Sequence, residues 1–269
     1  MHIIVEIGAS SACFYPLETE KSFLNITEMG FPCCEIFFNA HSELRKDFIM
    51  ELKAMKDACG TDIISLHPYA SFSEGYDFFS AYKRRFGDAL ENYRRYYEAA
   101  EILGAKYIVM HGAAKLYDIT MEEYAERYLI ATKEAEKYGC YVAHENVVKF
   151  LSATPDFSRF MKNQLGEDYK MVLDVKQVRR AGFTADDFID AAGENIVHVH
   201  LSDFNEKSDC VAPSEKGMYD FGQLFTSLGK AGYKGKYVVE LYSDGYEKSD
   251  EIIRSAEYLD GILKKSRQG

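Results

Sequence analysis

Eight apolar runs in this 269-residue chain close on a side chain that can ligate a metal. IIVE closes on Glu6, CCE on Glu35, IISLH on His67, YIVMH on His111, YVAHE on Glu145, MVLD on Asp174, IVHVH on His200 and YVVE on Glu240. The last four, Glu145, Asp174, His200 and Glu240, make a set of three carboxylates and one imidazole. Such an oxygen-rich set favours Mn²⁺ or Mg²⁺, with Co²⁺ or Zn²⁺ as alternatives. A divalent ion there can polarise a substrate carbonyl. Two glutamates on opposite sides of the substrate, Glu145 and Glu240, can then take a proton from carbon and return it, as general base and general acid. Taken singly, each residue has an ordinary explanation, since a strand-terminal acid often caps the next helix and a His between apolar residues often satisfies a carbonyl. Their recurrence at successive run ends is what points to a site.

Near-continuous runs of Val, Ile, Leu and Tyr read as strands buried on both faces, as in a parallel sheet. Eight of them separated by helical segments predict an α/β fold, a single (β/α)₈ TIM barrel over residues 1–269. In that fold the strand C-termini converge on one mouth, where catalysis sits. The last four run ends fall at residues 145, 174, 200 and 240, near the ~31-residue repeat of a 250-residue barrel. The longest interval holds SDFNEKSDCVAPSEKG, a polar segment that reads as a loop over the mouth. Helix signals lie between the runs. Thr120 and Glu123 form a capping-box pattern, with Gly139 as a C-terminal stop. Thr184 and Asp187 offer a similar start, Phe221 to Leu228 recur at helical spacing, and Ser249 caps a last helix. Between His67 and His111, Phe78, Phe79, Tyr82, Phe86, Leu90, Tyr93, Tyr97 and Leu103 form an aromatic stripe that reads as core packing.

The net charge of −11 and the lack of a long basic run weigh against a protein that grips nucleic acid through its phosphates. No C-x-x-C pair occurs among the six cysteines, so they read as buried, reduced thiols of a cytoplasmic protein. The N-terminus lacks the pattern of a signal peptide, and no apolar run approaches the ~18 residues of a membrane span.

HEN at 144–146, LD at 173–174, HLSD at 200–203 and VVEL at 238–241 resemble the signature of the xylose-isomerase-like TIM barrel superfamily. That superfamily holds the sugar phosphate isomerase/epimerase group and the endonuclease IV-like group. GFPCCEIF, around Glu35, and AGYKGKYVVEL at 231–241 are similar to its second strand and to its lead into the eighth. The resemblance covers essentially the whole chain. It implies that Glu145, Asp174, His200 and Glu240 coordinate one Mn²⁺-like ion and that Glu145 and Glu240 double as the proton-transfer pair. In endonuclease IV-like members His67 and His111 would hold further zinc ions; otherwise they contact substrate or support the ligands. Asn146 would orient Glu145 or touch substrate. Two departures count against a trinuclear zinc nuclease. Gln177 stands where the family often has His, and Pro213 to Gly217 lacks one glycine and the Asp-x-His pair. Gln177 remains a good hydrogen-bond partner for a hydroxyl.

Lys176, Arg179 and Arg180 form a basic cluster past the sixth strand, suited to a phosphate or carboxylate. Lys176 lies two residues beyond Asp174, so an extended segment would turn it to the same side. The leading expectation is a metal-dependent isomerase or epimerase acting on a small sugar or sugar phosphate, alone or as an oligomer. The alternatives are a zinc-dependent phosphodiesterase, a metal-dependent polyol or cyclitol dehydratase, and a barrel that binds a sugar without turning it over. Phe14, Tyr15, Phe38, Tyr69, Tyr117 and Tyr242 are candidates for specificity.

Overall fold

Alternation of strand and helix runs the length of the chain in a computed structural model that describes residues 6–69, 71–115 and 118–267. The strands are β1 (Ile7–Ser10), β2 (Cys33–Phe37), β3 (Asp62–His67), β4 (Tyr107–Met110), β5 (Tyr141–Glu145), β6 (Met171–Asp174), β7 (Ile196–Leu201) and β8 (Tyr237–Val239). Each pairs in parallel with the next, and β8 returns to β1 through Ile7 opposite Tyr237, Gly8 opposite Val238 and Ala9 opposite Val239. The closed (β/α)₈ barrel leaves no unpaired sheet edge. Its helices are α1 (Thr19–Glu28), α2 (Lys46–Cys59), α3 (Ser71–Phe79), α4 (Lys83–Leu103), α5 (Met121–Glu136), α6 (Pro155–Leu165), α7 (Val175–Arg180), α8 (Ala185–Ala192), α9 (Phe221–Lys230) and α10 (Asp250–Ser266). No described helix is long and apolar enough to cross a membrane.

The main core lies between barrel and helices, where outward strand residues such as Leu66, Ile108, Val142, Leu173 and Val199 meet the apolar helix faces. A smaller cluster of Val109, Ala143 and Val172 sits two residues before His111, Glu145 and Asp174. Side chains two apart on a strand share a face, so this cluster is the apolar floor beneath the polar strand ends. Thr120 accepts from the Glu123 amide and starts α5, and Thr184 with Asp187 forms a full capping box at α8. Ser249 precedes α10 without a side-chain capping bond.

Three expectations are corrected. Glu6 does not end a strand at the mouth. It precedes β1, at the opposite end of the barrel, where Arg267 forks onto it with N–O distances of 2.8 and 2.7 Å. The apolar pattern carries on past Glu6 through Ile7 and Ala9, and residues 3–5 of IIVE lie outside the described residues. The aromatic stripe is not one continuous core face. It divides into α3 and α4, and Tyr82 between them is 56% exposed. At the break the Arg127 guanidinium donates to the carbonyls of Phe78 and Ser80 at 2.7 and 2.9 Å, capping the end of α3. Five of the six cysteines are buried and free, whereas Cys59, at the end of α2, is exposed.

The loop after β4 passes close to α3. A Cβ on Gly75 would lie 2.2 Å from the Gly112 carbonyl oxygen, so only glycine permits that contact. Gly112 itself has φ +81°, and a Cβ there would lie 1.9 Å from Tyr124 Oη and 2.4 Å from His144 Cε1. Left-handed backbone combined with a clash against buried rings leaves no room for relaxation. Gly112→Ala is expected to cost on the order of 3 kcal/mol in denaturant unfolding; a loss below about 1 kcal/mol would show that this loop yields readily.

Candidate metal centre at the barrel mouth

Glu145 is the last residue of β5, Asp174 the last of β6, His200 the penultimate residue of β7, and Glu240 directly follows β8. The register sets Asp174 beside His200 and His200 beside Val238, which brings these ends to one level. One ligand atom from each of the four residues lies within 4.8 Å of those of the others. His200 Nδ1 stands 3.3 Å from Glu145 Oε1 and 3.4 Å from Glu240 Oε2. Two further groups meet the same spacing, His67 with His111 and Glu145, and Glu35 with His198 and His200.

Three acids in so small a buried volume repel one another and lose hydration. Burial opposes the charge on Glu145, but the His111 imidazole 2.7 Å from Oε2, together with His200 and His67, holds it well below the usual carboxylate range. Burial likewise opposes the charge on Glu240, yet His200 and Lys176 bring it down to about 2. Asp174 is the exception. Burial pushes it up to about 6 in spite of Lys176 beside it, and its buried Oδ2 accepts no hydrogen bond. Among the described residues, only the Lys176 ammonium at 3.4 Å faces that oxygen. An oxygen-rich donor set with a carboxylate oxygen that accepts no hydrogen bond fits a divalent cation at this point.

Around the quartet, His67 lies at the end of β3 and His111 directly after β4. Their Nε2 atoms are 3.1 Å apart, and His67 Nδ1 faces the Pro68 carbonyl at 2.9 Å. Burial works against a charge on His67, but the Glu145 carboxylate 3.7 Å from its Nε2 and the neighbouring carboxylates raise it to about 9. Asn146 is committed to the backbone of the next strand. Its Oδ1 accepts from the Asp174 amide at 2.8 Å and its Nδ2 donates to the Asp174 carbonyl at 3.1 Å, which fixes the ligand position from behind. Gln177 Oε1 accepts from the Val148 amide at 3.2 Å, and Gln177 lines the mouth.

Lys176 reaches the mouth by a different route from the extended segment expected. The chain turns into α7 directly after Asp174, whose Oδ1 caps that helix by accepting from the Gln177 amide at 2.9 Å. The buried Lys176 ammonium lies 3.4 Å from both Asp174 Oδ2 and Glu240 Oε2, over the Tyr242 ring at 4.5 Å. An anionic substrate would have to draw it away from two carboxylates. Arg179 and Arg180 dock the long loop after β7 instead. Arg180 forks onto Asp209 at 2.7 and 2.9 Å and donates to Tyr242 Oη at 3.0 Å, while Arg179 stacks over Phe204. Asp203 pins the same loop, accepting through Oδ1 from the amides of Phe204, Met218 and Tyr219.

A cavity of about 480 Å³ opens at this end, bordered by His111, Lys149, Phe150, Gln177, Arg180 and Tyr242. Tyr69 also borders it. Phe14 and Phe38 are buried, Tyr15 is exposed, and Tyr117 lies outside the described residues. Three further residues belong to the site. Glu35 accepts from His200 Nε2 at 3.1 Å and is fully buried. His198 stands two residues before His200, and the alternation in IVHVH was its signal. Glu74, on α3, accepts from the His111 amide at 3.2 Å and from the Tyr93 hydroxyl, and burial pushes its carboxyl up. No sequence spacing announces Glu74, because it reaches His111 only through the packing of α3.

If a cation completes this centre, the Lys176 ammonium competes with it for Asp174 and Glu240. Lys176→Met should tighten Mn²⁺ binding by about tenfold or more, since a positive charge leaves the neighbourhood of two ligands. Calorimetric titration of metal-stripped protein measures this, and weaker binding in the variant would show that Lys176 organises the ligands rather than competing for them.

A family model described as xylose isomerase-like TIM barrel matches residues 23–262. No curated protein matches the chain. Among solved structures it is similar to a D-tagatose 3-epimerase-like protein, with 20% identity over 98% of this chain and 99% of that one and a TM-score of 0.80. It is similar also to 3-keto-D-glucoside 4-epimerase from E. coli, with 20% identity over 96% and 99% of the two chains and a TM-score of 0.75. The IolI protein with a bound zinc atom aligns with 17% identity over 98% and 96% of the chains and a TM-score of 0.72.

Proposed function

The chain belongs to the xylose isomerase-like TIM barrel family, and from that premise we propose that it is a metal-dependent sugar isomerase or epimerase. The observation that carries this reading is the convergence of Glu145, Asp174, His200 and Glu240 on one point of the barrel mouth. The names of the similar structures, a tagatose epimerase-like protein and a ketoglucoside epimerase, support inversion of a carbon next to a carbonyl. A divalent ion held by the quartet would polarise that carbonyl and help acidify the adjacent C–H. Mn²⁺ suits three carboxylates and one imidazole; Mg²⁺, Co²⁺ or Zn²⁺ are the alternatives.

The residues divide the remaining work. Glu240, with 11% of its side chain exposed against 3% for Glu145, is the more open to a bound sugar. Glu145 turns Oε1 toward His200 and receives the His111 imidazole on Oε2. His111 borders the cavity, so it stands between Glu145 and a substrate hydroxyl. One glutamate removes the proton from carbon and the other returns it, giving epimerisation when they act on opposite faces, and isomerisation when the proton is returned to the neighbouring carbon while the hydroxyl proton passes to the former carbonyl oxygen. Gln177, His67 and the tyrosines of the mouth bind the sugar's hydroxyls.

The zinc phosphodiesterase reading is weaker. Gln177 offers no imidazole at its position, and Arg179 and Arg180 are engaged with the loop after β7. A dehydratase acting on a polyol or cyclitol would use the same centre and differs in its product. The decisive experiment incubates metal-loaded protein with a panel of ketoses, polyols and their phosphates in D₂O. The expected result is deuterium on one carbon next to the carbonyl with no change in composition; loss of water would mark a dehydratase, and no exchange with any member would overturn the proposal. With the active substrate, at saturating metal, Glu145→Gln and Glu240→Gln should each lower kcat by about 10²–10⁴-fold. Wild-type turnover in both variants would remove the two-glutamate mechanism.

A further inference from the structure

Below the quartet, inside the barrel, lies a carboxylate with no part in moving the substrate proton. Glu35 is fully buried, with polar side chains around both of its oxygens. Burial opposes the charge, but His200 and His198 hold the carboxyl well below its usual range. Oε1 accepts from Ser10 Oγ at 3.2 Å. Oε2 accepts from Ser65 Oγ at 2.8 Å and from His200 Nε2 at 3.1 Å, and His198 Nε2 stands 3.3 Å from it. The register accounts for this: Ser10 pairs with Glu35 across β1 and β2, and Glu35 with Ser65 across β2 and β3, so a hydroxyl flanks the carboxylate on each side within one layer. His198 and His200 reach it across the barrel from β7, their rings perpendicular with centroids 4.9 Å apart.

Burying a carboxylate costs several kcal/mol even when it is well hydrogen-bonded, and an apolar side chain of similar volume usually fills a core at least as well. The arrangement therefore needs a reason other than packing. Of the three groups that donate to Glu35, His200 is the one that also faces the quartet. Its two ring nitrogens have separate partners, Nε2 toward Glu35 and Nδ1 toward Glu145 and Glu240. Two serine hydroxyls already donate to Glu35, which is thereby placed as the acceptor of His200 Nε2–H and leaves the Nδ1 lone pair for a ligand.

We propose that Glu35 is a positioning residue that, by accepting the Nε2–H of His200, fixes the ring so that Nδ1 points at the convergence of Glu145, Asp174 and Glu240, and thereby sets the affinity of that point for a divalent cation. This rests on the reading of the quartet as a metal centre. Partners of this kind behind a ligating His are typically worth 10–100-fold in metal affinity. Ser10 and Ser65 flank Glu35, and His198 stands beside its Oε2.

The test is calorimetric titration of metal-stripped protein with Mn²⁺, alongside thermal unfolding without metal. Glu35→Gln should weaken Mn²⁺ binding about 10–100-fold. The double variant Ser10→Ala/Ser65→Ala, which loosens the same core but leaves Glu35 against His200, should lose no more than a few-fold. Glu35→Asp keeps the charge and withdraws it by one methylene from His200; it should also weaken binding, and it serves if Glu35→Gln does not fold. Wild-type affinity in a folded Glu35 variant overturns the proposal. An equal loss in the serine double variant overturns it as well, since general loosening of the core would then explain the effect. Failure of the wild-type chain to bind Mn²⁺, Mg²⁺, Co²⁺ or Zn²⁺ overturns the metal centre itself, and this role of Glu35 with it.

Discussion

The organisation of this barrel depends on how its mouth tolerates buried negative charge. Glu145, Asp174 and Glu240 converge within a few ångströms, and Glu35 lies one layer below. At an effective dielectric of about 20, two like charges 4 Å apart repel by roughly 4 kcal/mol. The chain places an ammonium, Lys176, between two of the acids and rings the rest with imidazoles. Even so, Asp174 Oδ2 is left without a hydrogen bond. Cation binding at such a centre is linked to the stability of the fold around it.

Rigid and adaptable parts of the site come from different elements. The quartet sits on or beside strand ends, with the Val109, Ala143 and Val172 cluster below it and Asn146 and Glu35 behind it. The rim is made by helices and loops. Helix α3 approaches through Gly75 and brings Glu74 to the backbone of His111. Helix α7 carries Arg179 and Arg180, whose contacts with the loop after β7 turn a basic cluster into a clasp for one wall of the cavity. Geometry at the centre can thus stay fixed while the rim selects the substrate, in keeping with how barrels of this class support varied chemistry.

The sequence by itself determined the strand order, the barrel and the four residues of the quartet. Strands buried on both faces are continuous apolar runs, and a polar residue ending such a run stands out against them. The same signal misplaced Glu6, because an acid at the start of a strand looks in sequence like one at its end. It also carried the aromatic stripe straight through the break between α3 and α4, where Arg127 caps the end of α3. Tertiary structure alone decided which charges meet. The roles of Glu35 beneath His200, of Glu74 behind His111 and of Lys176 between Asp174 and Glu240 depend on residues far apart in the chain and on a helix that begins directly after β6. Local periodicity records which side of an element a residue faces. The partner it finds there is fixed only when the barrel closes and brings distant strands into register.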